Sequence, residues 1–319
     1  GAMFPWQSGS NGREESQRRH LNPMSGRWIP DNSWRQRHIG AAVAYNAWKY
    51  WQTTDDWQFL CDQGAELILE IARFWSSLAR ERADGRFDIE GVMGPDEFHT
   101  AYPGADPSTE GGLDNNAYTN VMAAWVLARG LEVMDLLPDE RRRALAEILD
   151  IDDAELARWD RISRGLVVPF HGDGIISQFA GFERLEPFPF ADYRRRYGEI
   201  RRLDRILEKE GDDPNRYQVS KQADVLMLFY LFSTEELQAI FERLGYVFTP
   251  EMIFENICWY MERTVHGSTL SWLTHAWVLA RADREESWRL ALTALDSDVA
   301  DLQGGTTPEG IHLGAMAGT

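Results

Sequence analysis

The sequence predicts an all-α fold, a toroid of helical hairpins, and three observations carry that reading. From Trp34 onward apolar residues recur every three or four positions, the period of an amphipathic helix. Stretches with β character are few and short, each beside Gly or Asp. About ten helices follow one another without a heptad seam or a short fixed repeat, which fits antiparallel hairpins better than a coiled coil or a solenoid. Residues 1–319 read as a single domain.

Taken in order, Ile39, Val43, Ala47 and Tyr50 set a first helix, and Leu60, Ala65, Leu69, Ala72 and Trp75 a second. A third begins near Asn116 and carries Ala117, Val121, Trp125, Ala128 and Leu131 on one stripe until Leu137-Pro138, where proline blocks continuation. Residues 139–165 form one or two charged surface helices, 194–210 another, and 221–232 a strongly apolar one. Ser233-Thr234-Glu235-Glu236 reads as a capping start for 237–244, and Thr249-Pro250-Glu251 for 252–261. Two more helices span 271–282 and 285–295, and β-prone pieces lie at 86–89, 166–170 and 175–179. The long loops, 1–32, 91–115, 179–193 and 264–271, are rich in Gly, Pro, Asp, Asn and His, and loops on a rigid scaffold commonly carry chemistry.

Composition narrows the function. Thirty-three basic against 51 acidic residues leave a net charge of −18, without the phosphate-neutralising footprint of a nucleic-acid binder. No apolar run reaches the roughly 18 residues that span a bilayer, and the first residues carry no leader pattern, so a cytoplasmic protein is expected. Two cysteines far apart, Cys61 and Cys258, suit reduced core thiols rather than a disulfide or zinc site, and no structural metal is expected. Thirteen Trp, ten Tyr and fifteen Phe make 12% of the chain. Indole and phenol rings pack on the C–H faces of sugars while acidic side chains take the hydroxyls, so an acidic, Trp-rich chain suits glycan handling, with most of the Trp filling the core.

Four constellations could carry chemistry. Gly91 to His99, closed by Gly111 to Asn120, sets Asp96 and Glu97 in a Gly/Pro turn beside Phe98, where desolvation could keep one carboxyl protonated as a general acid. Glu97 is the candidate; Asp114 reads as a helix N-cap. Tyr217 to Val225 is a polar opening to an apolar helix, where Lys221 and Gln222 either point donors into a cavity or lie on the surface. Thr264 to Ser271 joins His266, Ser268 and Thr269 at a helix start, which is either an anion site or a simple cap. No Rossmann or Walker glycine pattern accompanies it, so a nucleotide is not indicated. Finally, Phe4 to Ser8, with Arg13-Glu14-Glu15 and the closing stretch Pro308 to Thr319, offers Trp6, which either stacks on a sugar or belongs to the core.

Together, Phe4 to Ser8, Gly94 to His99, Leu113 to Asn120, Lys221 to Val225, His266 to Ser271 and Gly310 to Gly318 resemble, in order and across essentially the whole chain, the catalytic barrel of glycoside hydrolase family 65. These are the inverting disaccharide phosphorylases acting on maltose, trehalose, kojibiose and related α-glucosides. The resemblance implies an (α/α)6 barrel, incomplete at its amino-terminal end and cut from a longer enzyme. It matches Glu97 to the general acid, Lys221 and Gln222, with Trp6 beside them, to the glucose site, and His266, Ser268 and Thr269 to the phosphate loop. Gly267-Ser268-Thr269 replaces a more usual Asp-Ser-Ser, Phe98 stands for Tyr, and Tyr102 to Gly112 looks long enough to reshape the acceptor side.

The implied reaction takes inorganic phosphate as co-substrate and needs no further cofactor. Phosphate attacks the anomeric carbon opposite Glu97, so no protein base has to activate water. The rivals are an inverting, trehalase-like hydrolase, which needs a second carboxylate roughly 6.5–9.5 Å from the acid, and an inactive sugar-binding fragment. The implied partners are a disaccharide and phosphate, with a homodimeric parent enzyme as one option.

Overall fold

Thirteen α-helices of six or more residues, among the described residues, carry the fold in the computed structural model, which describes residues 1–302 and 311–318. Pro308, Glu309 and Gly310 of the closing motif lie outside the described residues, as does Thr319. The first hairpin is α1 (Ile39–Thr54) and α2 (Ala65–Leu78). The sequence pattern ran unbroken from Leu60 to Trp75, but a π-helical turn at Leu60–Gly64 precedes α2. α2 buries Ile68, Leu69, Ile71, Ala72 and Trp75 on one face, as its period requires.

Helix α3 (Ala117–Leu136) is the central one and is buried all round at its start: every residue from Ala117 to Leu127 is buried, where the sequence suggested a single stripe. Its N-cap is Asn116, whose side-chain oxygen accepts from Thr119 N at 2.9 Å. Asp114 is not the cap; it instead accepts from Gly91 N at 3.1 Å, closing the loop over the acid turn. α4 (Asp139–Leu149) and α5 (Asp153–Gly165) cover the outside. A β-carbon on Gly130 would stand 3.1 Å from Ala72 Cβ and 3.2 Å from the Trp159 ring, so glycine is what lets α2, α3 and α5 pack closely.

Residues 194–210 do not form one helix. Gly198, at φ +70°, separates α6 (Phe190–Tyr197) from α7 (Leu203–Glu210). The apolar helix expected from residue 221 is α8 (Leu226–Leu231), beginning five residues later. α9 (Thr234–Arg243) starts at Ser233 with the anticipated capping box to Glu236, and α10 (Pro250–Met261) has Pro250 in its first turn. α11 (Thr269–Leu279), α12 (Arg284–Asp296) and α13 (Leu313–Gly318) complete the set. α3 packs on α2, α5 and α9, then α9 on α8, α8 on α11, and α11 on α12 and α13.

Strands are confined to four two-stranded ribbons among the described residues. β1 (Arg19–Asn22) and β2 (Arg27–Pro30) form a hairpin inside the stretch read as loop; their exposed faces hide the alternation that marks a strand. β3 (Arg80–Glu81) with β4 (Phe87–Asp88) and β5 (Phe170–His171) with β6 (Ile175–Ile176) trim the β-prone pieces to two residues each. β7 (Glu186–Pro187) and β8 (Tyr217–Gln218) run parallel.

A large core centred on Trp75, Trp159, Phe179, Phe182 and Phe241 is joined by a smaller one, including Phe98, Leu203, Leu207, Tyr217 and Val265, beneath the loops at one end. Of the thirteen Trp, Trp48, Trp75, Trp125, Trp159 and Trp272 are buried, fewer than expected, and Trp28, Trp57, Trp277 and Trp288 are exposed. Both cysteines are free: Cys61 is half-buried against the large core, whereas Cys258 is exposed and not the core thiol expected. No described helix is long and apolar enough to cross a membrane.

Candidate active site

The starts of α3, α8 and α11 gather at one end. Ala117 N donates to Gln178 O, Asn116 Nδ2 reaches Asp224 just ahead of α8, and Val265 N, before α11, donates to Ser220 O at 2.9 Å. The turn bearing Glu97 sits among them. Glu97 has φ +67°, a region that costs a residue with a β-carbon about 1–2 kcal/mol, so neighbouring groups must hold it there. Asp96 N donates to Asp224 Oδ2 at 3.3 Å and Gln222 Nε2 to the Pro95 carbonyl at 2.5 Å. A β-carbon on Gly94 would fall 2.2 Å from Asp224 Oδ2, so this turn requires glycine at its start.

Glu97 is gripped at both oxygens. Gln36 Nε2 donates to Oε1 at 3.1 Å and Lys221 Nζ to Oε2 at 2.5 Å, with the Glu97 and Lys221 side chains 22% and 18% exposed. The desolvated acid anticipated beside Phe98 is therefore not what surrounds Glu97: Phe98 turns into the smaller core and the carboxylate faces an ammonium. Burial, then the neighbouring Asp96 carboxylate, push Asp224 well above the usual carboxylate range. His38, buried nearby, is held neutral, its value brought down to about 4 by desolvation.

Lys221 and Gln222 lie before α8 rather than within it. Their polar groups serve distant partners instead of a helix: Lys221 N donates to Asp96 Oδ1 at 2.6 Å, Lys221 O accepts from Gly267 N at 2.7 Å, and the Gln222 amide bonds Pro95. Through Gly267 the acid turn joins the loop of His266, Ser268 and Thr269. Ser268 is the N-cap position of α11 without a side-chain capping bond, and the buried Thr269 hydroxyl has no hydrogen-bond partner among the described residues. His266, at φ +54°, bonds Ser271 Oγ through Nδ1 at 2.9 Å and packs edge-on against His275. Burial first, then His275, Arg289, Arg201 and Arg194, press His266 well below the ordinary imidazole value, so the ring is neutral in a positive surround.

Two cavities flank the Gln36–Glu97–Lys221 bridge. One of about 500 Å³ holds Glu97 and Lys221 together with His20, Asp31, Arg202, Asp204 and Arg205. The other, about 370 Å³, holds Trp6, Gln36, His38, Tyr118, Gln222 and Ser271. Trp6 is half-buried, its backbone N–H donating to Glu14 at 2.8 Å and its ring 5.9 Å from that of His38, and it walls a cavity rather than filling the core. His266, Ser268 and Thr269 border neither cavity; Ser271 of their loop does. In the larger cavity His20 and Ser33 hydrogen bonds outweigh burial and keep Asp31 ionised at about 2, while Asp204 pairs with Arg202 at 3.2 Å.

Sequence reasoning missed Gln36, Asp224 and Asn116, which hold the acid turn, and the arginines beside the cavities. Their signals existed: the polar run Arg35-Gln36-Arg37-His38 just ahead of an apolar helix, and six arginines between Arg194 and Arg205 in a strongly acidic chain. Among the described residues, no group of three or more His, Cys, Asp or Glu side chains is placed to hold a metal ion.

This architecture has relatives. A solved structure from the human microbiome, assigned as a kojibiose phosphorylase, superposes with TM-score 0.76 at 24% identity, covering all of this chain and 41% of its own; the likeness supports the (α/α)6 barrel. An uncharacterised glycosyl hydrolase of Mycobacterium tuberculosis is 57% identical over the whole chain, which spans 24% of that protein. Trehalose 6-phosphate phosphorylase of Lactococcus lactis is 42% identical over the whole chain and 40% of its length, and kojibiose phosphorylase of Thermoanaerobacter brockii 30% over the whole chain and 38% of its length. The chain thus spans less than half of the curated relatives it matches. Residues 1–319 match the glycosyl hydrolase family 65 central catalytic domain, and the chain belongs to that enzyme family.

Proposed function

We propose that this chain carries the active site of an inverting phosphorylase that cleaves an α-linked glucose disaccharide with inorganic phosphate, releasing β-glucose 1-phosphate and the second sugar. The observation that carries the reading is the double engagement of Lys221, whose ammonium meets Glu97 while its carbonyl receives Gly267 of the helix-start loop. An acid and an anion-binding loop are thereby held on one residue. Glu97 gives its proton to the glycosidic oxygen as the C–O bond breaks, and a phosphate oxygen bonds to the anomeric carbon from the opposite face. Sugar hydroxyls drawing Lys221 aside would free Glu97 Oε2 to take up from solvent the proton that it then donates, and Trp6 and Gln222 supply stacking and an amide for glucose. Neutral His266, Ser268 and Thr269, backed by Arg194, Arg201 and Arg289, suit a phosphate dianion.

The leaving sugar is proposed to carry a phosphate of its own. Arg202 and Arg205 wall the larger cavity beside Glu97, and the 42% identical relative is a trehalose 6-phosphate phosphorylase. Hydrolysis is the second reading, because Asp31 and Asp204 share that cavity; both are already tied, to His20 and Arg202, which disfavours them as bases. The test is glucose 1-phosphate release by the full-length protein from trehalose, trehalose 6-phosphate, maltose, kojibiose and nigerose, with and without phosphate, beside Glu97→Gln. Phosphate-dependent release lost in the variant supports the proposal. Equal glucose release without phosphate refutes it in favour of hydrolysis.

A further inference from the structure

We propose that Asp96 is a positioning residue for this chemistry, fixing the spacing between Glu97 and Lys221 from the side away from the substrate; the inference rests on the phosphorolysis proposed above. Consecutive carboxylates hold the two ends of one residue. Asp96 Oδ1 accepts from the Lys221 backbone N–H at 2.6 Å, and Glu97 Oε2 accepts from the Lys221 ammonium at 2.5 Å. Backbone 96–97 and the whole of Lys221 thus close a ring between segments 125 residues apart. Without Asp96 the Lys221 backbone keeps its bond from Gly267, and the acid turn keeps its bond from the Gln222 side chain, but Lys221 itself meets the turn only through its long, flexible side chain, which cannot by itself fix where Nζ lies.

Asp96 is itself immobilised, being 1% exposed. Its Oδ2 accepts from Phe98 N at 3.2 Å and meets His99 Nδ1 at 2.9 Å, while His99 Nε2 faces the Tyr217 carbonyl at 2.9 Å. The His99 ring thus bridges the Asp96 carboxyl group and the Tyr217 carbonyl and locks the carboxyl group in place. Asp96 N is anchored in turn on Asp224, which Asn116 grips at both oxygens, 3.2 and 3.1 Å away. This arrangement gives a role to a buried carboxyl group that lines neither cavity.

The experiment compares kcat and KM of the full-length wild type with Asp96→Asn and Asp96→Ala. Asparagine keeps the Oδ1 acceptor for Lys221 N, so the ring survives, while its amide nitrogen replaces the oxygen that meets Phe98 N and His99 Nδ1 and only the anchoring of the side chain is weakened. The expected result is a kcat within about tenfold of wild type for asparagine and about 100-fold lower for alanine, with KM for phosphate changed less than about threefold, since ångström-scale misplacement of a reacting group costs that much. A merely structural role would lower the folded fraction without that split or that rescue. A folded alanine variant with wild-type kcat overturns the proposal. Should the alanine protein fail to fold, Asp224→Asn turns an amide toward Asn116 and loosens the same anchor: a tenfold fall in kcat supports the inference and an unchanged kcat overturns it. If the wild type proves to be a hydrolase, phosphorolysis is refuted separately and the same comparison is made on glucose release.

Discussion

Gly267 presses against Lys221: its N–H donates to the Lys221 carbonyl at 2.7 Å, and a β-carbon on it would stand 2.9 Å from Lys221 Cγ and 2.5 Å from the Arg201 carbonyl. In this chain the close approach of the loop to the lysine leaves no room for a side chain at position 267. Gly267→Ala should force the backbones apart and cost about 1–3 kcal/mol of stability, as overpacking does. Its kcat should fall more than its sugar affinity, read from thermal melts alongside steady-state kinetics.

Removing the acid isolates its contribution. Glu97→Gln retains the shape of the turn and the contact to Gln36, so the protein should fold normally while kcat drops about 10²–10⁴-fold, the usual yield of a general acid. Wild-type turnover in that variant would strip Glu97 of its role.

Lys221→Met takes away the ammonium and leaves Glu97 held by Gln36 alone among its two partners. Charge-assisted hydrogen bonds contribute about 1.5–3 kcal/mol, so kcat/KM for any disaccharide should fall roughly 10- to 100-fold. Progress curves on trehalose and trehalose 6-phosphate would show the loss on both.

The arginines make a narrower prediction. Arg202→Ala and Arg205→Ala should lower kcat/KM for trehalose 6-phosphate by about 10- to 100-fold, one charge-assisted contact each, while trehalose itself responds little. Identical losses on both sugars would show that these arginines shape the cavity without reading a phosphate.

Acid should unsettle the fold through its buried histidines, His38 and His275 among them. Burial lowers His38 and His275 to about 4 from an ordinary 6.5. The folded state therefore binds fewer protons than the unfolded chain, and the stability this gives is present above pH 6.5 and lost as pH falls toward 4. Each is worth about 3 kcal/mol across that window, at 1.36 kcal/mol per unit. Asp224 opposes the trend, since its raised value makes acidification relieve a cost. The difference isolates the effect: His275→Asn should lose less melting temperature between pH 7 and 4.5 than the wild type does.

Much of the fold was legible along the chain because its signals are local. The α1 and α2 stripes, the Ser233 capping box, Pro250 at a helix start and the stop of α3 at Leu137-Pro138 all act within one or two turns of backbone. Where local pattern failed, a distant partner had outbid it. Asn116 rather than Asp114 caps α3, because Gly91 N claims Asp114. Residues 221–225 look helical, but Asp96 and Gly267 take the main-chain groups of Lys221 that a helix would need.

The candidate site divides the same way. Sequence by itself determined the all-helical class and, through an ordered set of motifs, singled out Glu97, Lys221 and the His266 loop as candidates. Only the tertiary structure decided that Glu97 faces an ammonium and an amide rather than an apolar wall, that Trp6 and Gln222 line a different cavity from Glu97, and that Asp96, Asn116 and Asp224 hold the acid turn. The reason is physical. Periodicity and capping follow from the geometry of neighbouring residues, whereas a hydrogen bond across 125 residues depends on how every intervening helix packs, and no local spacing records it.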